Sequence, residues 1–276
     1  EMSVTFDDLP TVTAWRDPIA TEQQITHDLL RQLTARKIPA VGFVNTAKLT
    51  ERESAALLEQ WLDAGMELGN HTYSHPDINN VPLADYTADV AKGEPILRAA
   101  LAARGKTLRY FRHPFLHAGP TPELKAGLQK FLDDAGYRVA PVTFDNSDYM
   151  YAALYTRPQH RDRARSEYIP YMESVIEFFE RRSVEVAGRE FPQTLLIHAN
   201  QLNADLMPEL LEMLPRRGYD FVTLDTALAD AAYRLPDDYA GRGGFSWIHR
   251  WSRTMKLPGK GEPEPPAWVT TAFGQR

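Results

Sequence analysis

The chain has no cysteine among its 276 residues. Disulfides and thiolate metal sites are therefore excluded, and any metal must be held by His, Asp or Glu. The absence does not fix a redox compartment. No apolar run approaches the roughly 20 residues of a membrane span, so no transmembrane segment is expected. Basic residues never gather into a block: Arg161, Arg163 and Arg165 alternate with other residues, as on a solvated helix face. With a formal net charge of −6, the composition argues against nucleic acid as the partner. A secretory signal is also missing, although the first strand begins almost at the first residue. The expectation is an exported protein, periplasmic or extracellular, whose signal peptide is not part of this sequence.

What is present is 43% hydrophobic residues, enough for a full core, and a regular alternation of patterns. Strand candidates are Met2–Phe6, Ala40–Val44, Met66–Gly69, Tyr110–Arg112, Arg138–Thr143, Thr194–Ile197 and Phe221–Thr223. Helical periodicity fills the gaps over Glu22–Arg36, Glu51–Ala64, Leu83–Arg104, Thr121–Ala135, Arg161–Val186, Ala204–Arg217 and Asp225–Ala232. A break is expected near Gly93 and Pro95, and a kink at Pro170. Repeated βα units imply a parallel sheet with helices outside. Seven strand candidates fit a closed or nearly closed barrel better than two domains. The expected fold is α/β, a distorted (β/α)7–8 barrel over residues 1–232. Residues 233–276 read as a Gly/Pro/Trp-containing extension packed on it. Its Trp247 and Trp251 would cover the barrel, with sugar stacking as the alternative. Its end would be flexible, so that deletion of Gly259–Arg276 should be tolerated.

The chemistry concentrates at strand ends. His71-Thr72-Tyr73-Ser74-His75 places two imidazoles four residues apart, able to close on one ion, and Pro76 favours a tight turn there over a helix. A catalytic zinc site wants three protein ligands and an open position. Val4-Thr5-Phe6-Asp7-Asp8 delivers two carboxylates from a strand end, where α/β-barrel active sites sit. One acid can bind the metal while its neighbour acts as base. Side by side, the two carboxylates raise each other's pKa unless cations intervene. A metal on one and an arginine on the other would resolve this, and Arg112 follows its own strand. His198 ends the apolar run Thr194–Ile197, and Asp145 and Asp148 end another strand. An Asp–His pair gives an oriented imidazole suited to general acid catalysis. The bland readings are turn-capping acids and hydrogen-bonded core histidines. His113 and His117 repeat the four-residue spacing, but Pro114 lies between them, and they read as pocket-lining or ordinary hydrogen-bonding groups. His27, His160 and His249 read as structural.

Taken together, these residues resemble the NodB-homology polysaccharide deacetylases, the fourth family of carbohydrate esterases. Five motifs stand in the family's order: Thr5-Phe6-Asp7-Asp8, His71-Thr72-Tyr73-Ser74-His75, Arg112-His113-Pro114-Phe115, Asp145-Asn146-Ser147-Asp148-Tyr149 and Leu195-Leu196-Ile197-His198. The resemblance implies a divalent metal held by Asp8, His71 and His75. Zinc is the default, and cobalt, nickel or manganese could replace it. It implies Asp7 as general base, Arg112 as its charge partner, His198 as general acid and Asp148 as the group tuning it. The Phe115 backbone N–H would help hold the oxyanion, with Tyr149 and Leu196 lining the substrate pocket. Leu9, Tyr149 and Ala199-Asn200 depart from the family's usual glycine, tryptophan and aspartate. Leu9 and Tyr149 would then reshape the cleft wall. The expected activity is metal-dependent hydrolysis of N- or O-acetyl groups from a carbohydrate. The alternatives are an amidohydrolase acting on a small non-sugar C–N bond and a non-catalytic carbohydrate-binding protein.

Overall fold

A computed structural model describes residues 1–12, 19–50 and 52–275. The chain runs β1 (Met2–Leu9), α1 (Ile19–Ala35), β2 (Ala40–Val44), α2 (Arg52–Asp63), β3 (Glu67–Asn70), α3 (Leu83–Ala102), β4 (Tyr110–Phe111), α4 (Pro122–Asp134) and β5 (Arg138–Val139). It continues through α5 (Asp148–Tyr155), α6 (Arg161–Ala187), β6 (Gln193–His198), α7 (Gln201–Arg216), α8 (Leu224–Leu228), α9 (Trp247–Thr254) and α10 (Ala267–Gly274). The sheet order is β5-β4-β3-β2-β1-β6, and every pairing is parallel. All strands therefore present their C-terminal ends on one side, which is what gathers the strand-end residues.

The sheet curls because one short segment serves both edges. Residues 138–139 pair with β4, while Phe144 bridges Leu195 on β6. The two edges are no farther apart than five residues of chain can span, about 17 Å. The result is a six-stranded, distorted barrel. The seventh expected strand is reduced to one bridge, Met2 to Phe221. Pairing of β1 with β2 begins only at Val4, so the Met2 backbone is left for the 220–222 segment.

The helices form as their apolar spacing dictates. In α2 the buried set Ser54, Leu57, Leu58, Trp61 and Leu62 repeats at helical spacing, and each large apolar side chain buried there stabilises by ~1.5–3 kcal/mol. Glu51, the expected first residue of that helix, lies outside the described residues. Contrary to the expected break, α3 is continuous through Pro95. Gly93 has a packing role instead: a Cβ there would sit 3.2 Å from Thr46 Oγ1 and 3.3 Å from Asn70 Oδ1, so its absence lets α3 press against the turn that follows β3. Pro170 lies inside α6, which runs unbroken over 27 residues. No helix among the described residues is long and apolar enough to cross a membrane.

The C-terminal segment differs from its expectation at the very end. Trp247 and Trp251 are buried on α9, and Ser246 Oγ donates to the Thr143 carbonyl at 2.6 Å. Beyond them the chain forms α10, where Val269 and Ala272 are buried in the core. Trp268 Nε1 donates to Glu167 at 2.7 Å, and Arg157 Nη1 donates to the Ala272 carbonyl at 2.7 Å. Deleting Gly259–Arg276 is therefore expected to be costly rather than tolerated, since Val269 alone contributes ~1.5–3 kcal/mol of burial. The truncated chain should melt ~4–8 °C lower for a loss of ~2 kcal/mol in a protein of this size. Thermal unfolding of the two forms measures this, and an unchanged midpoint would show that α10 contributes no packing.

Candidate metal centre and active site

Register brings the site together. Asp7 on β1 pairs with His198 on β6, and Asn70 on β3 pairs with Phe111 on β4. Asp8, His71 and Arg112 each follow one of these paired positions. The donor atoms of Asp8, His71 and His75 all lie within 4.8 Å of one another, and they are the one such cluster among the described residues. Asp8 Oδ1 is 3.8 Å from His71 Nε2 and 3.6 Å from His75 Nε2. Tetrahedral zinc bonds of about 2.0–2.2 Å place ligand atoms roughly 3.4 Å apart, close to the two separations from Asp8.

The protonation states suit a cation. Burial pushes His71 down to about 4. Burial pushes His75 down to about 4 as well. Both rings are neutral at neutral pH. His71 Nδ1 donates to the Arg112 carbonyl at 2.8 Å, which leaves the Nε2 lone pair facing Asp8. Burial alone would raise Asp8, but Lys48, the largest opposing charge, holds it well below the usual carboxylate range. The donor set of two neutral imidazoles and one carboxylate fits a divalent ion.

The loops around the cluster are held in unusual backbone conformations. Of the seven non-glycine residues with positive φ among the described residues, Asp8 (68°), Thr72 (70°), His75 (59°), Phe115 (56°) and Leu116 (56°) belong to the site. Such conformations cost of order 1–3 kcal/mol each and persist where surroundings over-determine them. Buried Asn70 does part of this: its Oδ1 accepts from Thr72 N–H at 2.7 Å. Its amide donates to the Val90 carbonyl at 3.0 Å and to Tyr137 Oη at 2.7 Å. Asn45 Nδ2 holds the His71 carbonyl at 2.6 Å.

Asp7 is buried beside the cluster, with Oδ2 3.8 Å from His71 Nε2. Arg112, fully buried, reaches it with Nη1 at 3.3 Å, donates Nη2 to Thr5 Oγ1 at 3.0 Å and lies over the Phe43 ring. Burial raises the Asp7 carboxyl more than Arg112, the largest opposing charge, brings it back. His198 Nδ1 is 2.6 Å from Asp148 Oδ1. Asp148 Oδ2 accepts the His198 backbone N–H at 2.8 Å and Asn203 Nδ2 at 2.7 Å. Burial works against the His198 cation, but the charge and hydrogen bond of Asp148, then Asp8 and Asp7, lift it to about 9. Asp148 does not end a strand as expected. It opens α5, because the strand before it stops at Val139.

Asp7, Asp8, His71, His75 and His198 line a cleft of about 550 Å³ with Phe115, Leu116, Tyr149, Leu196, Asp145, Gly244 and Glu262. The Phe115 ring packs edge-on against His75 at 4.5 Å, and Tyr149 is partly exposed at the mouth. Leu9 does not reshape the wall as expected: it is buried against Gly42, where a Cβ would meet Leu9 Cδ1 at 1.9 Å. His117 bonds Asp77 and Asn79, each at 2.8 Å, while His113 is buried and lines a separate cavity of about 330 Å³ behind the site. Sequence reasoning missed Lys48, whose Nζ donates to the Asp8 carbonyl at 2.9 Å. It also missed Asn203, whose one signal was its place after the His198 strand, where Asn200 caps α7. Gly244 and Glu262 were missed too, since both belong to the extension.

Known proteins share this fold. The family described as polysaccharide deacetylase matches residues 1–140. A chitin deacetylase from Colletotrichum lindemuthianum is 25% identical over 206 residues, covering 74% of this chain and 73% of that protein. A solved structure of the chitin deacetylase from the fungal pathogen Colletotrichum lindemuthianum superposes with a TM-score of 0.59 at 22% identity, over 83% of this chain and 88% of that one. A chitin deacetylase from Pestalotiopsis sp is 24% identical over 231 residues, 83% of this chain but only 64% of that protein. A pseudoenzyme of the fourth carbohydrate esterase family from Bacillus anthracis has the same fold, with a TM-score of 0.54 at 17% identity, over 82% of this chain and 64% of that one.

Proposed function

The chain belongs to the polysaccharide deacetylase family, the fourth family of carbohydrate esterases, and from this premise we propose that it is a metal-dependent hydrolase removing N-acetyl groups from an amino-sugar polymer or oligomer. The names of its fungal relatives support the choice of N-acetyl substrates. The observation that carries the reading is the Asp8–His71–His75 cluster lying in one cleft with Asp7 and His198. We assign the catalytic barrel to residues 1–232 and the extension to 233–276. An exported protein, acting where such polymers lie, is the setting this substrate implies.

Asp8, His71 and His75 would hold one divalent ion, zinc first. When bound, that ion supplies Lewis acidity to water and to the acetyl carbonyl. Asp7 takes a proton from the attacking water, and Arg112 orients its carboxylate and opposes the effect of burial on its charge. The Phe115 backbone N–H would face the developing oxyanion. His198, charged through Asp148, gives its proton to the departing amine. Leu196 and Tyr149 would flank the acetyl group and the sugar. No covalent intermediate is required, which is why no serine or cysteine is assigned.

The test is metal content and acetate release together. Purified protein should carry about one divalent ion per chain. His71→Ala should lose it, and a chelator should abolish acetate release from chitin oligomers. Peptidoglycan and acetylxylan run alongside separate N- from O-acetyl cleavage. Full metal occupancy in His71→Ala would show that the ligand set is wrong.

A further inference from the structure

Two aromatic rings stand open in the cleft, Phe115 at 53% exposure and Tyr149 at 40%. They are the most exposed Phe, Tyr or Trp side chains among the described residues. Ligand clefts are lined by such rings, which bury apolar surface when a ligand arrives. Tyr149 is the one nearest the proton donor. It lies in the first turn of α5, directly after Asp148, and its ring meets the His198 ring edge-on, 6.3 Å between centroids.

A half-exposed tyrosine ring ordinarily samples several rotamers, and a ligand that needs one of them must bear the cost of fixing it. Here a second ring limits that freedom. Phe273, in the last turn of α10, packs edge-on against Tyr149 with centroids 5.6 Å apart. Phe273 is itself held. The last carbonyls of a helix lack intrahelical partners, and Arg157, just beyond the end of α5, supplies them. Its Nη1 donates to the carbonyls of Ala272 at 2.7 Å and of Gln275 at 3.1 Å, on either side of Phe273. Val269 and Ala272 are buried on the same helix. The end of the chain is thus fastened to the helix that carries Tyr149, and it ends in a ring set against the cleft mouth.

We propose that Phe273 is a positioning residue for substrate: it holds the Tyr149 ring as a platform for a sugar unit adjoining the one being deacetylated. The C-terminal helix thereby favours oligomers over small acetyl compounds. The proposal rests on the deacetylase reading above and deepens it.

The first test is binding, which needs no turnover. N-acetylglucosamine tetramer is titrated by calorimetry into the purified protein and its variants, below the melting midpoint of each. Phe273→Ala should weaken binding about 3- to 10-fold, the worth of one aromatic pair, and Phe273→Tyr, which keeps a ring, should restore it. In a Tyr149→Ala background, Phe273→Ala should cause no further loss, because residues that act through one another are not additive. In turnover, Phe273→Ala should lose about 3- to 10-fold more kcat/KM on the tetramer than on p-nitrophenyl acetate, which has no second unit to stack. A wild type that does not bind the tetramer, unchanged binding in Phe273→Ala, a full further loss on Tyr149→Ala, or equal losses on both substrates would overturn the proposal and leave α10 a purely structural helix. If the binding pattern holds but no acetylated glycan releases acetate, the deacetylase reading fails and the platform stands. If acetate is released and Phe273→Ala binds like wild type, the platform alone fails.

Discussion

Asp7→Asn should lower kcat by ~10²–10⁴, the usual worth of a positioned base, while leaving the divalent ion in place. The substitution is nearly isosteric. It removes the carboxylate beside the cluster that is not assigned to the metal, and its oxygen can still accept from Arg112. Breaking a buried ion pair by deleting one partner costs ~3–5 kcal/mol. The retained amide oxygen should keep the loss below that range, because the Arg112 contact is long, 3.3 Å. Some lowering of the melting midpoint is therefore expected, and turnover should be compared well below it. Metal content identical to wild type, with kcat reduced and KM little changed, separates loss of the base from collapse of the site. Near-wild-type turnover would mean that another group accepts the proton.

Much of this site was legible because its signals are local. The four-residue spacing of His71 and His75, the adjacent acids after a β-branched run, and single histidines or arginines at strand ends need no tertiary knowledge. Parallel pairing then places strand ends on one side, so recognising the βα rhythm was enough to group Asp7, Asp8, His71, Arg112 and His198. The rest depends on contacts between distant parts of the chain that leave no periodic trace. Lys48 reaches Asp8 across 40 residues, and Arg157 caps α10 across 115. Glu262 enters the cleft from a Pro-rich stretch whose composition reads as flexible. The short β5 was legible as a strand but not as the hinge closing the ring, because pairing to both edges follows from curvature rather than from apolar alternation. Asp148 was placed at a strand end because the apolar run continues past Val139, yet only Phe144 of that run pairs again.

His198→Ala should damage turnover of N-acetyl substrates far more than turnover of activated aryl acetates. An amine leaves only when it gains a proton, whereas a nitrophenolate departs unaided. The loss on an N-acetyl oligomer should reach ~10²–10⁴, the range of a general acid, with a much smaller loss on the aryl ester. The pH profile supplies an independent reading. His198 must be protonated to act, and its pKa is lifted to about 9, chiefly by the charge and hydrogen bond of Asp148 against the cost of burial. Activity of the wild type should therefore hold through neutral pH and fall as pH rises through that value. Asp148→Asn removes the charge but keeps the shape and an oxygen for the His198 backbone N–H. Without the charge the imidazolium gives up its proton at lower pH, so the alkaline fall should move toward neutrality while the acid side stays in place. Asn203, which donates to the same carboxylate, still finds an oxygen there, so a shifted profile with an intact fold is the expected result. Equal losses on both substrate types in His198→Ala, or an unmoved alkaline limb in Asp148→Asn, would make His198 a group that orients the substrate and would leave the proton donor to be found elsewhere in the cleft.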